Sequence, residues 1–314
     1  MNEQSQINKG KIIYAGIIVV CLLLVFAAWQ SGSVSNPFHS GSNEEHIAVL
    51  NITGTICEDD GYGYNQQWLL NTIDEIIADK NNSGLLLYID SPGGYVYQGD
   101  ELYLKLLEYK RYTGCPIYVS MGSQAASGGY YVACAGDKIF ANRNTITGSL
   151  GVISATHIDL SKFLGRYSIE VTEITSGKNK SMGSSYEPLT DEQKEIYQSI
   201  CDEYYMQFVK VIADGRKMTE EEVIPLADGR IYSAHQALEN GLIDEVATFE
   251  DTLAQMSRDL NVDYNATIYY AYEPPITFLE SLMKSAQPAP SAEQQIIDLL
   301  SKAQQNQFMF YYGR

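Results

Sequence analysis

Hydrophobic and polar positions divide the chain into stretches of different character. Residues 1–11 are polar and include Lys9 and Lys11, and Ile12 to Trp29 (IIYAGIIVVCLLLVFAAW) then runs without a charge. At 1.5 Å per residue such a helix reaches about 27 Å, close to the roughly 30 Å hydrocarbon core of a bilayer. The lysines before it and Trp29 after it predict a single-pass signal anchor over 12–29, with its N-terminus in the cytoplasm. A cleaved signal peptide would have a shorter apolar core and a better small-x-small site than Val25-Phe26-Ala27. Ser31 to Asn43 is rich in Ser, Gly and Asn, which predicts a flexible tether over 30–45.

Folded patterning begins near Ile47. IAVLNITGTI (47–56) is β-branched and predicts a strand, while Trp68 to Asp79 places Leu69, Leu70, Ile73, Ile76 and Ile77 at helical spacing. LLLYI (85–89) predicts a buried strand that ends on the turn cluster Asp90-Ser91-Pro92-Gly93-Gly94. A helix over 99–112, a strand over 117–121 (IYVSM) and a small-residue run to Gly129 follow, and YYVACAGDKIF then reads as a helix and a strand. Strands alternating with helices predict an α/β domain, placed at 46–262.

Thr190 with Gln193, Thr219 with Glu222 and Ser233 with Gln236 have capping-box spacing, the first opening a long helix over about 191–213. Ala213-Asp214-Gly215-Arg216 echoes Ala227-Asp228-Gly229-Arg230; four residues make no repeat, and both glycines read as loop or helix-end positions. From 263 the chain turns Tyr-, Pro- and Gln-rich and is expected to form a loosely attached tail to 314, ending in the apolar patch Phe308 to Tyr312.

Composition narrows the chemistry. With 314 residues and 45% apolar content there is material for one large domain or two modest ones, and a net charge of -18 excludes the basic patches that nucleic acid requires. Five cysteines without a CxxC pair and four histidines give no metal site, and no cofactor is expected. Cys115 and Cys134 read as buried thiols; a Cys57–Cys201 disulfide stays open for a domain outside the cytoplasm.

Ser127 stands out as a candidate nucleophile. In Ala125-Ala126-Ser127-Gly128-Gly129 it lies at a strand-to-helix turn among small residues that let a substrate backbone approach. A Gly/Ala-rich packing seam is the plain alternative for this segment. Gly93-Gly94, after the preceding strand, allows a tight turn with an N–H facing a ligand. Both segments end successive strands, where α/β sheets place ligands, so N–H groups of Gly94 and Gly128 would form a two-donor oxyanion hole. The proton acceptor is open between His157, the one histidine suitably placed, and the lysines of Ser176-Gly177-Lys178-Asn179-Lys180. A basic lysine must be neutral near pH 7–8 against an ordinary value of about 10.4, which costs about 4 kcal/mol of desolvation.

Ser120 to Ala133 (SMGSQAASGGYYVA), Asp137-Lys-Ile-Phe-Ala, Thr147-Gly-Ser-Leu-Gly-Val-Ile153, Asp90-Ser-Pro-Gly-Gly94 and Ala227-Asp-Gly-Arg-Ile-Tyr with Gly241-Leu-Ile-Asp-Glu-Val246 together resemble the bacterial signal peptide peptidases SppA of the short single-domain type. The resemblance covers about residues 46–250. It implies a Clp/crotonase-like fold of repeated ββα units and a Ser–Lys dyad. The nucleophile falls on Ser127, the base of the family's Ser-Gly-x-x-Lys segment on Lys180 rather than Lys178, and the oxyanion glycine on Gly94. It further implies a homo-oligomeric ring in which neighbouring subunits share the dyad, signal peptides or other apolar peptides as substrates, and a site on the outer face of the cell membrane. A family tendency for the C-terminus to reach the active sites makes Phe308 to Tyr312 a candidate self-binding segment. The competing expectations are a catalytically silent membrane scaffold of this fold and a Clp-like Ser–His–Asp peptidase using His157. An acyl-CoA enzyme is disfavoured by the anchor.

Overall fold

Strand β1 (His46–Thr53) sends alternate side chains into two cores. Ile47 and Val49 join Leu86, Tyr118, Phe140 and Met256 on one face, and Ala48, Leu50 and Ile52 join Leu85, Leu87, Ile89 and Val119 on the other. A strand covered on both faces reads as a continuous apolar run, as 47–50 and 85–87 do. The computed structural model describes residues 44–274 and the backbone of Met309–Tyr311. The predicted anchor, nearly all of the tether and most of the tail lie outside the described residues, among which no helix is long and apolar enough to cross a membrane.

Helix α1 (Gln66–Ala78) starts at Asn65, whose side chain accepts the Trp68 N–H, and buries Leu69, Ile73 and Ile76. Strand β2 (Asn82–Ser91) pairs parallel to β1, and the short β3 (Gly93–Tyr95) leads directly into α2 (Val96–Thr113). Strand β4 (Ile117–Ala126), parallel to β2, is followed by α3 (Gly128–Ala133). Strands β5 (Lys138–Ala141) and β6 (Ile146–Gly148) both pair with β4, β5 along its first half and β6 along its end. Beyond α4 (Ser161–Arg166) come α5 (Asp191–Arg216), α6 (Glu220–Val223), β7 (Ile231–Ser233), α7 (Ala234–Glu239), β8 (Glu245–Val246), α8 (Phe249–Leu260) and β9 (Thr267–Tyr270). The sheet runs β7-β6-β4-β2-β1-β9, with β5 and β8 branching from β4 and with β7 antiparallel. This mixed α/β sheet fits the Clp/crotonase-like expectation.

All three expected capping boxes form, and a fourth joins Thr248 to Asp251. The folded region reaches past residue 263, where the tail was expected to begin. Thr267–Tyr270 is β-branched and aromatic enough to pair parallel with β1 and bury Tyr270 before Pro274 ends the pattern. Gly215, the next-to-last residue of α5, is at a helix end as expected, and a Cβ there would stand 2.5 Å from the Cys134 carbonyl oxygen.

The abundant tyrosines serve as core residues with a polar end. Tyr109, Tyr130 and Tyr131 are fully buried, and their hydroxyls reach Asn82 Oδ1, the Leu242 carbonyl and Asp100 Oδ1, each at 2.6 Å. Burying a phenol without such a partner would cost about 1–3 kcal/mol. The Tyr131 hydroxyl also accepts from Gln207 Nε2 at 2.8 Å, so the helix after Ser127 is tied to both α2 and α5.

Candidate active site

The register of β2 on β4 brings the two candidate segments together. Ile89 pairs with Met121, but Ser91 pairs with Ala125, so β4 carries extra residues over that interval. The Asp90 carboxylate holds this bulge, accepting from Ser123 Oγ at 2.7 Å and from the Gln124 N–H at 3.1 Å. Bulges re-aim the strand beyond them, here towards Ser127.

Ser127 follows β4 at φ 54, ψ -118, the geometry of the first central residue of a type II′ turn, which favours glycine. Holding a side chain there costs about 1–3 kcal/mol, and such strain concentrates at functional sites. Two backbone bonds maintain it: Ser127 N–H donates to the Gly148 carbonyl at 2.7 Å, and Tyr131 N–H donates to the Ser127 carbonyl at 2.9 Å. Ser127 is 1% exposed, and its Oγ has no hydrogen-bond partner among the described residues. The strand-to-helix serine is thus an elbow with an uncommitted hydroxyl.

On the β2 side, Gly93 has φ 100 and Gly94 is packed against Ile56 so tightly that a Cβ would fall 1.9 Å from the Ile56 carbonyl oxygen. Ile56 N–H donates to Gly93 O at 2.9 Å and Tyr95 N–H donates to Ile56 O at 2.8 Å. The other edge of β3 carries β10 (Met309–Tyr311), antiparallel, with Phe310 opposite Gly94. Gly128 is buried at the first position of α3, where an N–H has no acceptor within its helix.

Neither expected base is hydrogen-bonded to Ser127. Lys180 lies in an exposed turn, its backbone N–H donating to Gly177 O at 3.0 Å; its Nζ makes no hydrogen bond or ion pair among the described residues. Lys178, by contrast, is 2.7 Å from Glu192 Oε1 on the first turn of α5. Neither ring nitrogen of His157 has a hydrogen-bond partner among the described residues, although both atoms are buried. A Ser–His–Asp triad needs both nitrogens engaged, by serine and by carboxylate. Within one chain the structure therefore assembles Ser127, Gly94 and Gly128 but joins neither Lys180 nor His157 to Ser127.

Ser149 was not foreseen. It is a second serine at positive φ (53), 9% exposed, immediately after the Gly148 carbonyl that holds Ser127. Its sequence signal, Thr147-Gly-Ser-Leu-Gly, marks a turn without marking the serine. Cys57, Cys115, Cys134 and Cys201 are free thiols, so no Cys57–Cys201 disulfide is present. Burial pushes the Cys57 thiol up to about 11 and the Cys134 thiol up to about 12, which keeps both protonated and unreactive at neutral pH.

Residues 110–263 match peptidase family S49. An Enterococcus faecium protein with the provisional name signal peptide peptidase SppA is 34% identical over 236 residues, which cover 73% of this chain and 68% of that one. A provisionally named protease of Methanocaldococcus jannaschii is also 34% identical, over 69% of this chain and 73% of its own. Protease 4 of Haemophilus influenzae is 31% identical over 68% of this chain but only 35% of its own, longer one. On these similarities, and with a strained serine elbow in place, the chain belongs to peptidase family S49 and is a serine peptidase.

Proposed function

We propose that the chain is a membrane-anchored endopeptidase in which Ser127 attacks a peptide carbonyl and neutral Lys180 accepts its proton. Lys180 then returns that proton to the leaving amine and activates water against the acyl-enzyme. The N–H groups of Gly94 and Gly128 hold the tetrahedral oxyanion. The observation that carries the reading is the buried, strained Ser127 hydroxyl without a partner, beside the Gly93-Gly94 strand.

Lys180 rather than Lys178 is favoured because Lys178 is engaged by Glu192, whereas the Lys180 Nζ is uncommitted among the described residues. That Lys180 makes no hydrogen bond to Ser127 within one chain supports a dyad completed by a second copy in a homo-oligomeric ring. The segment that carries Lys180 also exposes Phe163 (57%), Tyr167 (62%) and Ile174 (96%), an apolar strip suited to a neighbouring subunit. Substrate adds as a strand to β3, an arrangement supported by the antiparallel pairing of Met309–Tyr311 there. The E. faecium relative is named for signal peptides; together with the apolar run 12–29 this points to signal peptides or other apolar peptides at the outer face of the cell membrane.

The test is a paired substitution with an active-site label. A fluorophosphonate should label the wild type on Ser127, and Ser127→Ala should abolish labelling. Lys180→Ala should lose labelling and peptidase activity, and His157→Ala should keep both. Retention of activity in Lys180→Ala with loss in His157→Ala would establish a histidine base instead; no labelling of the wild type would favour a silent scaffold.

A further inference from the structure

The Ser91 side chain is fully buried at the end of β2, where three parts of the site meet. Its hydroxyl donates to the Gly54 carbonyl at 2.6 Å and accepts the Gly93 N–H at 3.1 Å. The Gly54 N–H donates to the Asp90 carbonyl at 3.0 Å, so the end of β1 is pinned to β2 through both backbone groups of Gly54. The Ser91 main chain also supports the nucleophile helix. Its carbonyl oxygen lies 2.9 Å, and its Cβ 3.4 Å, from where a Cβ on Gly129 would stand.

These contacts do different work from the Ile56 ladder. That ladder fixes β3 through the Gly93 carbonyl and the Tyr95 N–H, along one edge. The start of β3 follows Pro92, which has no N–H to offer, and Gly93 is at φ 100, where glycine moves freely. The Ser91 hydroxyl restrains the Pro92–Gly93 peptide, and with it the entry to β3, at that end. A hydroxyl is suited to this, because it donates and accepts at once.

We propose that Ser91 is a positioning residue for catalysis: its hydroxyl sets the Gly94 N–H relative to Ser127, tying the oxyanion strand to β1 and to the floor beneath the nucleophile helix. The proposal rests on the assignment of Ser127 and Gly94 above. Without the hydroxyl, the Gly93 N–H and the Gly54 carbonyl lose their shared partner, the Pro92–Gly93 peptide is free to turn, and the start of β3, then held only by the Ile56 ladder, can shift and carry the Gly94 N–H with it. A displacement near 1 Å at an oxyanion donor lowers the chemical step on the order of 100-fold, while an extended peptide can still pair with β3.

The experiment compares two ligands of one sequence on the full chain: a peptide aldehyde, whose adduct with Ser127 carries the oxyanion, and the matching peptide amide, which binds without reacting. In Ser91→Ala, kcat should fall on the order of 10- to 100-fold with KM within about twofold. Aldehyde affinity should fall by the same factor as kcat, and amide affinity should stay unchanged. Ser91→Cys is nearly isosteric but accepts weakly, and it should show the same split at smaller size; it carries the comparison if Ser91→Ala does not fold. Equal weakening of both ligands would make Ser91 merely structural, and no change in either would remove it from catalysis; each result overturns the proposal. Mapping the wild-type adduct separates the two assignments, because an aldehyde bound elsewhere than Ser127 refutes the site itself and this role with it.

Discussion

Replacing Gly94 with alanine adds one methyl group at the most crowded backbone in the site. Its Cβ would stand 1.9 Å from the Ile56 carbonyl oxygen, 2.6 Å from the Ile56 carbonyl carbon and 2.7 Å from the Ile56 nitrogen. Ordinary carbon contacts lie near 3.5 Å, so β3 and the Ile56 segment must separate by more than about 1 Å. That separation breaks the bonds from Ile56 N–H to Gly93 O and from Tyr95 N–H to Ile56 O. At about 1 kcal/mol each, the loss is about 2 kcal/mol, or about 4–8 °C in Tm for a domain of this size. Catalysis suffers more, because the Gly94 N–H moves with the strand: kcat/KM should fall on the order of 100- to 1000-fold. The assay pairs hydrolysis of a fluorogenic apolar peptide with thermal melting. Gly165→Ala is the control, since nothing stands within 4 Å of its added Cβ. Near-normal kcat/KM in Gly94→Ala would refute both the packing argument and the place of Gly94 in the site.

Two further outcomes follow from the packing and the charges. Gly215→Ala drives a Cβ to 2.5 Å from the Cys134 carbonyl oxygen and should cost about 1–3 kcal/mol in chemical denaturation, whereas Gly165→Ala should change stability by less than about 1 kcal/mol. Hydrogen bonds from Lys138 Nζ, at 2.7 Å, and from the Tyr118 hydroxyl hold the Asp259 carboxyl down at about 2, against an ordinary 3.8. Its stabilisation is complete above about pH 4 and is lost as pH falls towards 2. The Tm advantage of wild type over Asp259→Asn should therefore close across that window, and an advantage constant from pH 6 to pH 2 would contradict the ion-pair account.

Much of the site was legible in the sequence because its parts are local. Small residues around Ser127 and the Pro-Gly-Gly turn announce a tight approach of backbone, and the apolar runs at 47–50 and 85–87 announce buried parallel strands. The capping boxes at Thr190, Thr219 and Ser233 form because each places its acceptor and its carboxamide or carboxylate three residues apart. Other features depend on neighbours distant in sequence. The β4 bulge is set by Asp90 from another strand, and the pairing of Thr267–Tyr270 needs the exposed edge of β1. The positive φ of Ser149 depends on how β6 meets the segment around Arg230, whose carbonyl accepts the Ser149 N–H at 2.7 Å. Lys180 is the sharpest case, since its residue type and turn were plain while the lack of a hydrogen bond to Ser127 within one chain was not.

The missing Ser127–Lys180 bond makes complementation the most direct test of the central claim, a Ser127–Lys180 dyad completed between copies. Ser127→Ala and Lys180→Ala would be co-expressed with different tags, and assemblies holding both purified through each tag in turn. With random assembly about a quarter of the interfaces pair an intact serine with an intact lysine. The mixed assembly should therefore recover about a quarter of wild-type peptidase activity, while each variant alone stays inactive. Activity no higher than that of the separate variants would contradict the shared dyad.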